Sequence, residues 1–434
     1  MVKGEALELI KAKEYEVPFK VWEFTPLDRA CLKMVIRGTW FFNTPLDAQQ
    51  IKDALAKTLS NYPHLAGRMK TKAGITLTNN GVPFSIAGEP DLTLEDALKR
   101  DDLSNINHFS LAIKTARLQK GLDAPLSVKI TELNNGSVLG VQCSHALMDG
   151  DSFYTFVYNW GQICRGESFE KPVLNQSLLP AANDADADEV KTAAALAGWK
   201  QLSIFSVLKL LPAVVSGVIW KRSRPFNIST ATIDRWKEQL AETTGISCSS
   251  NVVLSALIAR RCMDLYQHRV NTRCSVVTVI NTRRRLACIP ANYVGNSSLS
   301  IATPPFPAEA DLGELAVIIN QALEPVRKTP SPELEKLMQL NLNAMKHKLP
   351  FAPFDVFGMH AKKPTVVYVN NFSKLHIYDI DFGSGLPVKV IPHNLNDQVI
   401  IWPAHPAVGG VEVYFSGIPI RYVSLLQEDY FDHQ

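Results

Sequence analysis

Residues 137–160 read SVLGVQCSHALMDGDSFYTFVYNW, and they predict a strand, a tight connection and a helix. Apolar side chains alternate from Leu139 onward, as the two-residue repeat of a strand requires, and His145 falls on the same face at the end of the strand. Residues 146–150 form the connection. The imidazole is therefore predicted to lie at a strand-to-helix junction.

The helix after this connection is predicted from apolar side chains at helical spacing, Phe153, Phe156 and Trp160. Asp151 and Ser152 are its predicted N-terminal caps, because short oxygen-bearing side chains accept hydrogen bonds from the first free N–H groups of a helix. The junction is therefore predicted to lie between the end of the strand and the start of the helix.

His145 and Asp149 lie four residues apart across the junction. An imidazole with the ordinary pKa of about 6.5 suits a general base at neutral pH. A lone histidine at a strand end is equally typical of a structural residue, and Asp149 can point toward the ring or away from it. The pattern alone leaves these interpretations open.

The composition is that of an ordinary globular protein. Its 434 residues exceed the size at which a single core stops growing, so we expect two domains of roughly 200 residues. Forty-five Lys and Arg against 42 Asp and Glu give a net charge of +3, without a long basic run. Nucleic acid is therefore not an expected partner, whereas a local basic mouth for an anionic cofactor is compatible with this balance.

The cysteines and the chain ends indicate the compartment. Seven scattered cysteines without a C-x-x-C pair are typical of a reduced intracellular protein. The N-terminal sequence MVKGEALELIK carries charges where a signal peptide is apolar, and the C-terminal sequence has no anchor or retrieval signal. We predict a cytoplasmic monomer without a metal site, since the ten histidines lack metal-ligand spacing.

Elsewhere the sequence predicts irregularly alternating helices and strands, and so a mixed α/β fold. Asp47 and Gln50 predict a capping box for a helix over 47–58, which ends before Pro63. Residues 180–190, rich in Ala and Asp, predict a solvent-exposed crossover. Periodicity further predicts helices at 233–240 and 252–263, and strands at 275–280, 365–369 and 411–415.

Residues 199–220 form the most apolar segment and are nearly long enough to span a membrane. Lys209 near the centre and Pro212 argue against a span, because a buried charge and a helix break are both costly in lipid. Two expectations remain, packing against the protein itself or peripheral contact with a membrane surface.

Seven motifs follow one another in an order that identifies a family: TPLDR at 25–29, YPHLAGR at 62–68, GVPF at 81–84, H-x-x-x-D-G at 145–150, N-x-R-x-R at 281–285, Y-x-G-N at 293–296 and DFGSG at 381–385. Each motif alone is common, but their joint order is specific. Over nearly its whole length the chain resembles the BAHD family of coenzyme A-dependent acyltransferases.

The resemblance implies an α/β fold of two chloramphenicol acetyltransferase-like domains with a central channel at their interface. The domains are expected at 1–185 and 226–434, joined by a crossover at 186–225. Acyl-coenzyme A is the implied co-substrate, and a small alcohol or amine is the implied acceptor. His145 is the implied general base in the channel.

The resemblance also assigns supporting roles. It implies that Asp149 is structural, orienting its loop by pairing with Arg283, and that Asp381, with Gly383 in the same motif, stabilises a loop through an ion pair. For the oxyanion the family offers Thr and Trp before its late motif, where this chain has Asn370 and Phe372, and Ser384 replaces the Trp within that motif. Asn370 can still donate a hydrogen bond to the oxyanion, and a purely structural role at a strand end is the alternative.

The remaining candidates are predicted mostly as framework. Buried ion pairs are the expected role of Asp28, Arg68 and Arg285. Gly295 is expected to allow positive φ in a turn that also contains Tyr293 and Asn296. Ser250 and Asn251 precede a helix and are candidate contacts for coenzyme A, since helix N-termini suit phosphate groups.

The leading hypothesis is direct acyl transfer to a hydroxyl, with an amine acceptor as the close variant. The apolar segment at 199–220 suggests a lipophilic acceptor. One rival is a condensation-type enzyme that uses carrier-protein thioesters, although such domains usually carry a second His where this chain has Ser144. The other rival is a non-catalytic ligand-binding relative. The acyl chain length and the acceptor's identity cannot be predicted from the sequence.

Overall fold

The computed structural model describes residues 3–15, 17, 19–71, 73–99, 108–202, 225–355, 358–359, 363–392 and 399–415. The chain divides into two compact units. The first unit comprises Met1–Leu179, Pro290–Ser297 and Leu375–His393, and the second comprises Pro180–Ile289, Ser298–Lys374 and Asn394–Gln434.

The first unit is built on a six-stranded sheet with a separate three-stranded sheet. The six strands in chain order are β1 (Lys3–Ile10), β3 (Val35–Phe42), β6 (Val82–Glu89), β7 (Leu126–Leu133), β8 (Gly136–Ser144) and β16 (Lys389–Pro392). Their spatial order is β1-β6-β7-β8-β3-β16, and every neighbouring pair is antiparallel except β6 with β7. The small sheet contains β2 (Val21–Glu23), β4 (Arg68–Thr71) and β5 (Gly74–Thr76).

The α-helices of this unit within the described residues are α1 (Pro26–Ala30), α2 (Ala48–Leu59), α3 (Leu94–Lys99), α4 (Thr115–Leu118) and α5 (Gly150–Cys164). Helix α2 begins after Asp47 as predicted, and the Asp47 side chain accepts from the N–H groups of residues 49 and 50. The reciprocal half of the predicted capping box is wrong. The Gln50 amide instead donates to the Cys164 carbonyl at 2.8 Å, so it joins α2 to α5.

A buried histidine lies beside the small sheet. The His64 ring stacks on Trp22, with ring centroids 4.1 Å apart and planes 19° apart. Both ring nitrogens are buried without a hydrogen-bond partner in the described part of the chain. Burial lowers the pKa of His64 to about 3, so the ring is neutral in the native state.

Replacing His64 with Phe is expected to make the protein less sensitive to acid. In the unfolded chain His64 binds a proton below about pH 6.5, whereas the buried ring of the native protein stays neutral. The free energy of unfolding therefore declines as the pH falls through that value. Between about pH 7 and pH 5 the ionisation of His64 lowers the free energy of unfolding by about 2 kcal/mol. Denaturant unfolding at both pH values measures this loss, and His376→Phe, at an exposed position, is the control. An equal loss in wild type and His64→Phe would contradict the expectation.

The second unit is built on a seven-stranded sheet. Its strands are β10 (Phe226–Ile228), β11 (Arg273–Asn281), β12 (Ser298–Ala302), β13 (Phe306–Pro307), β15 (Val366–Asn371), β17 (Val399–Pro403) and β18 (Val411–Phe415). The spatial order is β10-β18-β17-β15-β11-β12, with β13 also paired to β11. Strand β15 runs parallel to β11 and β17, and the other pairs are antiparallel. A separate ribbon pairs β9 (Lys200–Gln201) with β14 (Phe351–Ala352).

Where the structure describes the second unit, its helices are α6 (Ala187–Leu196), α7 (Thr230–Thr244), α8 (Ser250–Tyr266), α9 (Leu312–Arg327) and α10 (Pro332–Lys346). Helices α7 and α8 and strands β11, β15 and β18 confirm the elements predicted from periodicity. Most side chains of α8 are buried, because the helix packs against α7, α9 and strands β11 and β15. Each large apolar side chain buried in this way stabilises the fold by about 1.5–3 kcal/mol.

The crossover predicted at 180–190 is largely exposed, but its second half contains a helix that was not predicted. Helix α6 begins there after Asp186, which forms a capping box with Glu189. Val190 and Ala194 are buried against Leu340 and Ala344 of α10. This helix could not be predicted from periodicity, because its alanines give only a weak apolar stripe.

The two units also differ from the contiguous domains predicted at 1–185 and 226–434. Two late segments fold with the first unit, and β16 shows the reason, because it extends the six-stranded sheet by pairing with β3. Sequence periodicity carries no information about which distant strand a short strand will join.

The predicted apolar segment at 199–220 lies outside the described residues from position 203 onward. Its described beginning includes Trp199, which packs against the small core formed by α6 and α10. Among the described helices, none combines the length and apolar character needed to cross a bilayer. Packing against the protein and contact with a membrane both stay predictions for this segment.

Candidate active site

His145 lies directly after β8, as the alternation of apolar side chains predicted. Strand β8 ends at Ser144, and the His145 N–H donates to the Met34 carbonyl at 3.0 Å. The Leu147 N–H donates to the Ser144 carbonyl, which closes the turn toward α5. His145 is half-buried. These two hydrogen bonds, one at the strand end and one in the turn, hold it at a fixed position in the first unit.

Asp149 caps the helix that follows this turn. Its Oδ1 accepts from the Ser152 N–H at 3.0 Å, and its Oδ2 accepts from the Ser297 N–H at 3.1 Å. The predicted caps Asp151 and Ser152 are therefore wrong, because Asp149 is the N-cap and Ser152 supplies the N–H. Asp149 connects the turn at residues 145–149, the histidine turn, to the 293–297 turn. Its pairing with Arg283 stays a prediction.

The 293–297 turn approaches the start of α5 closely. Gly295 has φ +142°, as predicted, and a Cβ there would lie 2.9 Å from the Tyr293 hydroxyl. Its N–H donates to the Ser152 hydroxyl at 3.2 Å, and its carbonyl accepts from the Asp149 N–H at 3.4 Å. A side chain at position 295 would therefore disturb both the backbone and the contact with α5.

Asn296 contacts the candidate base itself, a role that the sequence interpretation missed. Its Oδ1 lies 3.1 Å from Nδ1 of His145, and its Nδ2 lies 2.8 Å from both the His145 carbonyl oxygen and Oδ1 of Asp28. The sequence showed Asn296 only as part of a turn motif. Its distance along the chain from both partners left no local signal.

Asp28 is fully buried and anchors this group of residues. It lies in α1, where its Oδ2 accepts from the N–H and the hydroxyl of Thr25 in a capping box. Burial raises the pKa of Asp28 to about 6, and the hydrogen bonds from Asn296 and Thr25 act against that rise. The predicted ion pair is absent from the described contacts of Asp28, because amide, hydroxyl and main-chain donors surround its carboxylate.

The electrostatic surroundings favour a neutral His145. Burial lowers its pKa below the ordinary value of 6.5, against the opposing effects of its own main-chain carbonyl, the charge of Asp149 and the bond to Asn296. A neutral ring keeps a lone pair on one nitrogen at pH 7. The site can therefore accept a proton without first losing one.

Asp381 stabilises its own loop, but not through the predicted ion pair. Its Oδ1 accepts from the N–H groups of Gly383 at 2.7 Å and Gly385 at 3.0 Å. Its main-chain carbonyl accepts from the Arg165 guanidinium, which also pairs with Glu167. Gly383 has φ +90°, which the turn requires. In the described contacts the Asp381 carboxylate accepts hydrogen bonds from main-chain N–H groups and does not pair with a cation.

The loop that contains Asp381 approaches α5 at a glycine. A Cβ on Gly161 would lie 2.7 Å from the Asp381 carbonyl oxygen, and the Cys164 thiol donates to the Phe382 carbonyl at 3.2 Å. The loop is thus fixed to the helix that Asp149 caps. This arrangement supports the structural role predicted for Asp381 and Gly383.

Arg68 and Arg285 use main-chain carbonyls where ion pairs were predicted. Arg68 donates to the carbonyls of Gly67 and Gly81 at 2.8 and 3.0 Å. Arg285 donates to the Asn281 carbonyl at 2.7 Å. These arginines stabilise turns in their own units, since main-chain carbonyls near a turn are left without strand partners.

The predicted oxyanion donor and coenzyme A contacts lie in the second unit. Asn370 is in β15 opposite Ile400 of β17, and it is half-buried. Asn371 points to the other face, where its amide donates to Asn251 Oδ1 at 2.8 Å. Ser250 and Asn251 are the first two residues of α8, whose N-cap is Ser249. The roles of Asn370, Ser250 and Asn251 stay predictions.

The described residues contain no group of three His, Cys, Asp or Glu side chains placed to hold a metal ion. The seven cysteines are free thiols. Burial raises the pKa of Cys31, close to Asp28 and Asp149, to about 12, so this thiol is protonated at neutral pH. The general-base role of His145 stays a prediction.

The family comparison covers almost the whole chain. The Transferase family matches residues 7–429. Vinorine synthase of Rauvolfia serpentina is 24% identical over 389 residues, which cover 85% of this chain and 82% of that protein. Stemmadenine O-acetyltransferase of Catharanthus roseus is 24% identical over 392 residues, which cover 86% and 83%.

Solved structures show the same fold. The crystal structure of vinorine synthase has a TM-score of 0.69 at 20% identity, covering 98% of each chain. TRI101 of F. sporotrichioides, complexed with coenzyme A and T-2, has a TM-score of 0.73 at 16% identity, covering 94% of this chain and 96% of that chain. The predicted α/β class with two chloramphenicol acetyltransferase-like units is confirmed, while the channel stays a prediction.

Fold, motifs and relatives together define an acyltransferase. The chain belongs to the Transferase family, and the predicted membership of its BAHD branch is confirmed. The cytoplasmic location, the monomeric state and the membrane contact stay predictions.

Proposed function

We propose that this enzyme transfers an acyl group from acyl-coenzyme A to the hydroxyl of a small, lipophilic acceptor, with His145 as general base. The observation that carries the proposal is the placement of His145. The ring is half-buried at a strand end and neutral at pH 7, and its turn is fixed on both sides by hydrogen bonds. A base needs this combination of position and protonation state.

The reaction runs in two steps without an acyl-enzyme. The acceptor oxygen attacks the thioester carbonyl carbon while His145 takes its proton, which forms a C–O bond and places negative charge on the carbonyl oxygen. The tetrahedral intermediate then collapses, the C–S bond breaks, and the imidazolium returns the proton to the coenzyme A sulfur. The products are an ester and free coenzyme A, and the histidine ends in its starting state.

Asn370 is the proposed donor to the charged oxygen of the intermediate. Replacing it with Ala is expected to lower kcat by about 10²–10³-fold with little change in KM, because an oxyanion donor acts mainly in the transition state. Steady-state kinetics measure both constants. Asn227→Ala is the matched control, since that side chain is exposed on β10, an edge strand of the same sheet. An unchanged kcat in Asn370→Ala would refute the assignment.

A screen of acyl donors against acceptors tests the proposed function. Purified enzyme is incubated with acyl-coenzyme A and each acceptor, and released thiol and product mass are measured. Alkali-labile products identify esters, whereas stable products identify amides and would overturn the hydroxyl acceptor. Calorimetry with free coenzyme A separates the rivals, because binding of a carrier protein alone supports a condensation-type enzyme. Ligand binding without any turnover supports a non-catalytic relative.

A further inference from the structure

Two arginines of the second unit are brought to the same place by one serine. Arg285 lies in the turn after β11, and Arg327 is the last residue of α9. The Ser331 N–H donates to the Arg285 carbonyl at 2.9 Å, and the Ser331 hydroxyl donates to the Pro325 carbonyl at 3.0 Å. The end of α9 therefore lies beside the turn that contains Arg285.

The two guanidinium groups lie close enough for one charge to act on the other. Burial lowers the pKa of Arg285, and the charge of Arg327 lowers it further. The second effect is the repulsion between like charges, which makes the protonated form of a cation less favourable. Both side chains are half-buried, so water screens this repulsion incompletely.

Each arginine uses only part of its hydrogen-bonding capacity inside the protein. In the part of the chain that the structure describes, Arg285 donates to the Asn281 carbonyl at 2.7 Å. Arg327 donates to Asn320 Oδ1 at 2.8 Å, and neither guanidinium pairs with a carboxylate of the same described residues. Nη2 of Arg327 is buried there without an acceptor. Leaving a buried N–H donor without an acceptor is unfavourable, so this arrangement favours an added acceptor.

The start of α10 adds to the positive potential around the two arginines. Its N-cap is Ser331, which contacts Arg285, and the N-terminus of a helix carries the positive end of its dipole. Glu333 and Glu335 in the first turn of α10 are exposed to solvent. The charge of Glu335 acts on Cys288, whose pKa is raised mainly by burial, but it is not among the causes that shift the pKa of Arg285.

We propose that Arg285 and Arg327 together form a binding site for a phosphate group. A phosphate monoester carries about two negative charges near neutral pH and several acceptor oxygens. It can therefore accept hydrogen bonds from both planar guanidinium groups at once and offset their mutual repulsion. Coenzyme A offers such groups on its ribose and in its diphosphate, and inorganic phosphate offers the same chemistry. The site does not depend on the general-base role of His145, because binding requires no turnover.

Calorimetry of the full chain with free coenzyme A, 3′-dephospho-coenzyme A and inorganic phosphate tests the site. We expect the probe that binds the wild type to bind Arg285→Gln and Arg327→Gln about 10- to 100-fold more weakly, because each change removes charge-assisted hydrogen bonds. Such a loss for coenzyme A alone assigns the ribose phosphate, and a loss for both coenzyme A forms assigns the diphosphate. A loss for inorganic phosphate alone assigns the free anion.

Arg269→Gln is the matched control for these variants. Arg269 is an exposed arginine that follows α8 in the same unit, so its replacement removes the same charge and should change affinity by no more than about twofold. The proposal would be overturned by an unchanged affinity in the Arg285 and Arg327 variants, by an equal loss in Arg269→Gln, or by a wild type that binds none of the probes.

Chemical modification of the wild type covers the case in which the variants do not fold. Phenylglyoxal reacts with accessible guanidinium groups, and mass spectrometry of the digested protein measures the reaction at each arginine. A bound probe should slow the modification of Arg285 and Arg327 but not that of Arg269. Equal modification with and without probe would overturn the proposal. Failure of the proposed function looks different, because His145→Ala would then remain active while probe binding stayed as in the wild type.

Discussion

Replacing His145 with Ala is expected to lower kcat by about 10²–10⁴-fold, the usual contribution of a positioned general base. In the proposed reaction the acceptor hydroxyl is a weak nucleophile until its proton leaves, and the neutral His145 is the proposed base that removes it. KM for acyl-coenzyme A should change little, since the loss falls on the transition state. Release of coenzyme A thiol measures the effect.

The control for this variant is His376→Ala. His376 is an exposed histidine of the same unit that stacks on Tyr158 and pairs with Asp379, so removing it should leave kcat within about twofold. If His145→Ala kept more than a tenth of the wild-type kcat, another group would have to be the base.

Replacing Asp149 with Ala is expected to lower the free energy of unfolding by about 2–4 kcal/mol and to reduce kcat as well. The change removes the cap of α5 and leaves the buried N–H groups of Ser152 and Ser297 without their acceptor. The histidine turn and the 293–297 turn then lose one of the hydrogen bonds between them, the one from the Ser297 N–H. Denaturant unfolding and steady-state kinetics measure the two effects.

Asp186→Ala provides the matched control for this variant. Asp186 also caps a helix, but it is exposed at the start of α6 in the second unit. Its loss should reduce stability by about 0.5–2 kcal/mol and leave kcat unchanged. A loss in Asp149→Ala no greater than in Asp186→Ala would show that Asp149 is an ordinary cap without a role in holding the site.

The elements around the candidate base could be predicted because their signals are local. The alternation that ends at His145 predicted β8 to within one residue, and the helical spacing of Phe153, Phe156 and Trp160 predicted α5. The motif order also predicted the family and the two-unit fold. Such patterns work because burial of one face imposes its period on the sequence.

The partners within the site could not be predicted in the same way. Asn296 reaches both His145 and Asp28 from a distant part of the chain, and no short-range pattern records such contacts. The cap of α5 was misassigned because Asp149, Asp151 and Ser152 are all chemically suited to cap, and only the backbone geometry decides among them. The ion pairs predicted for Arg68 and Arg285 failed because main-chain carbonyls compete equally well for a guanidinium.

The pH dependence of kcat/KM is the most direct test of the claim that a neutral His145 draws the proton from the acceptor, because this ratio reports the ionisation of the free enzyme. Since burial lowers the pKa of His145, activity should persist as the pH falls to 6.5 and decline only below it. The residual activity of His145→Ala should lack this decline. A midpoint above 6.5, or the same acid limb in His145→Ala, would contradict the account.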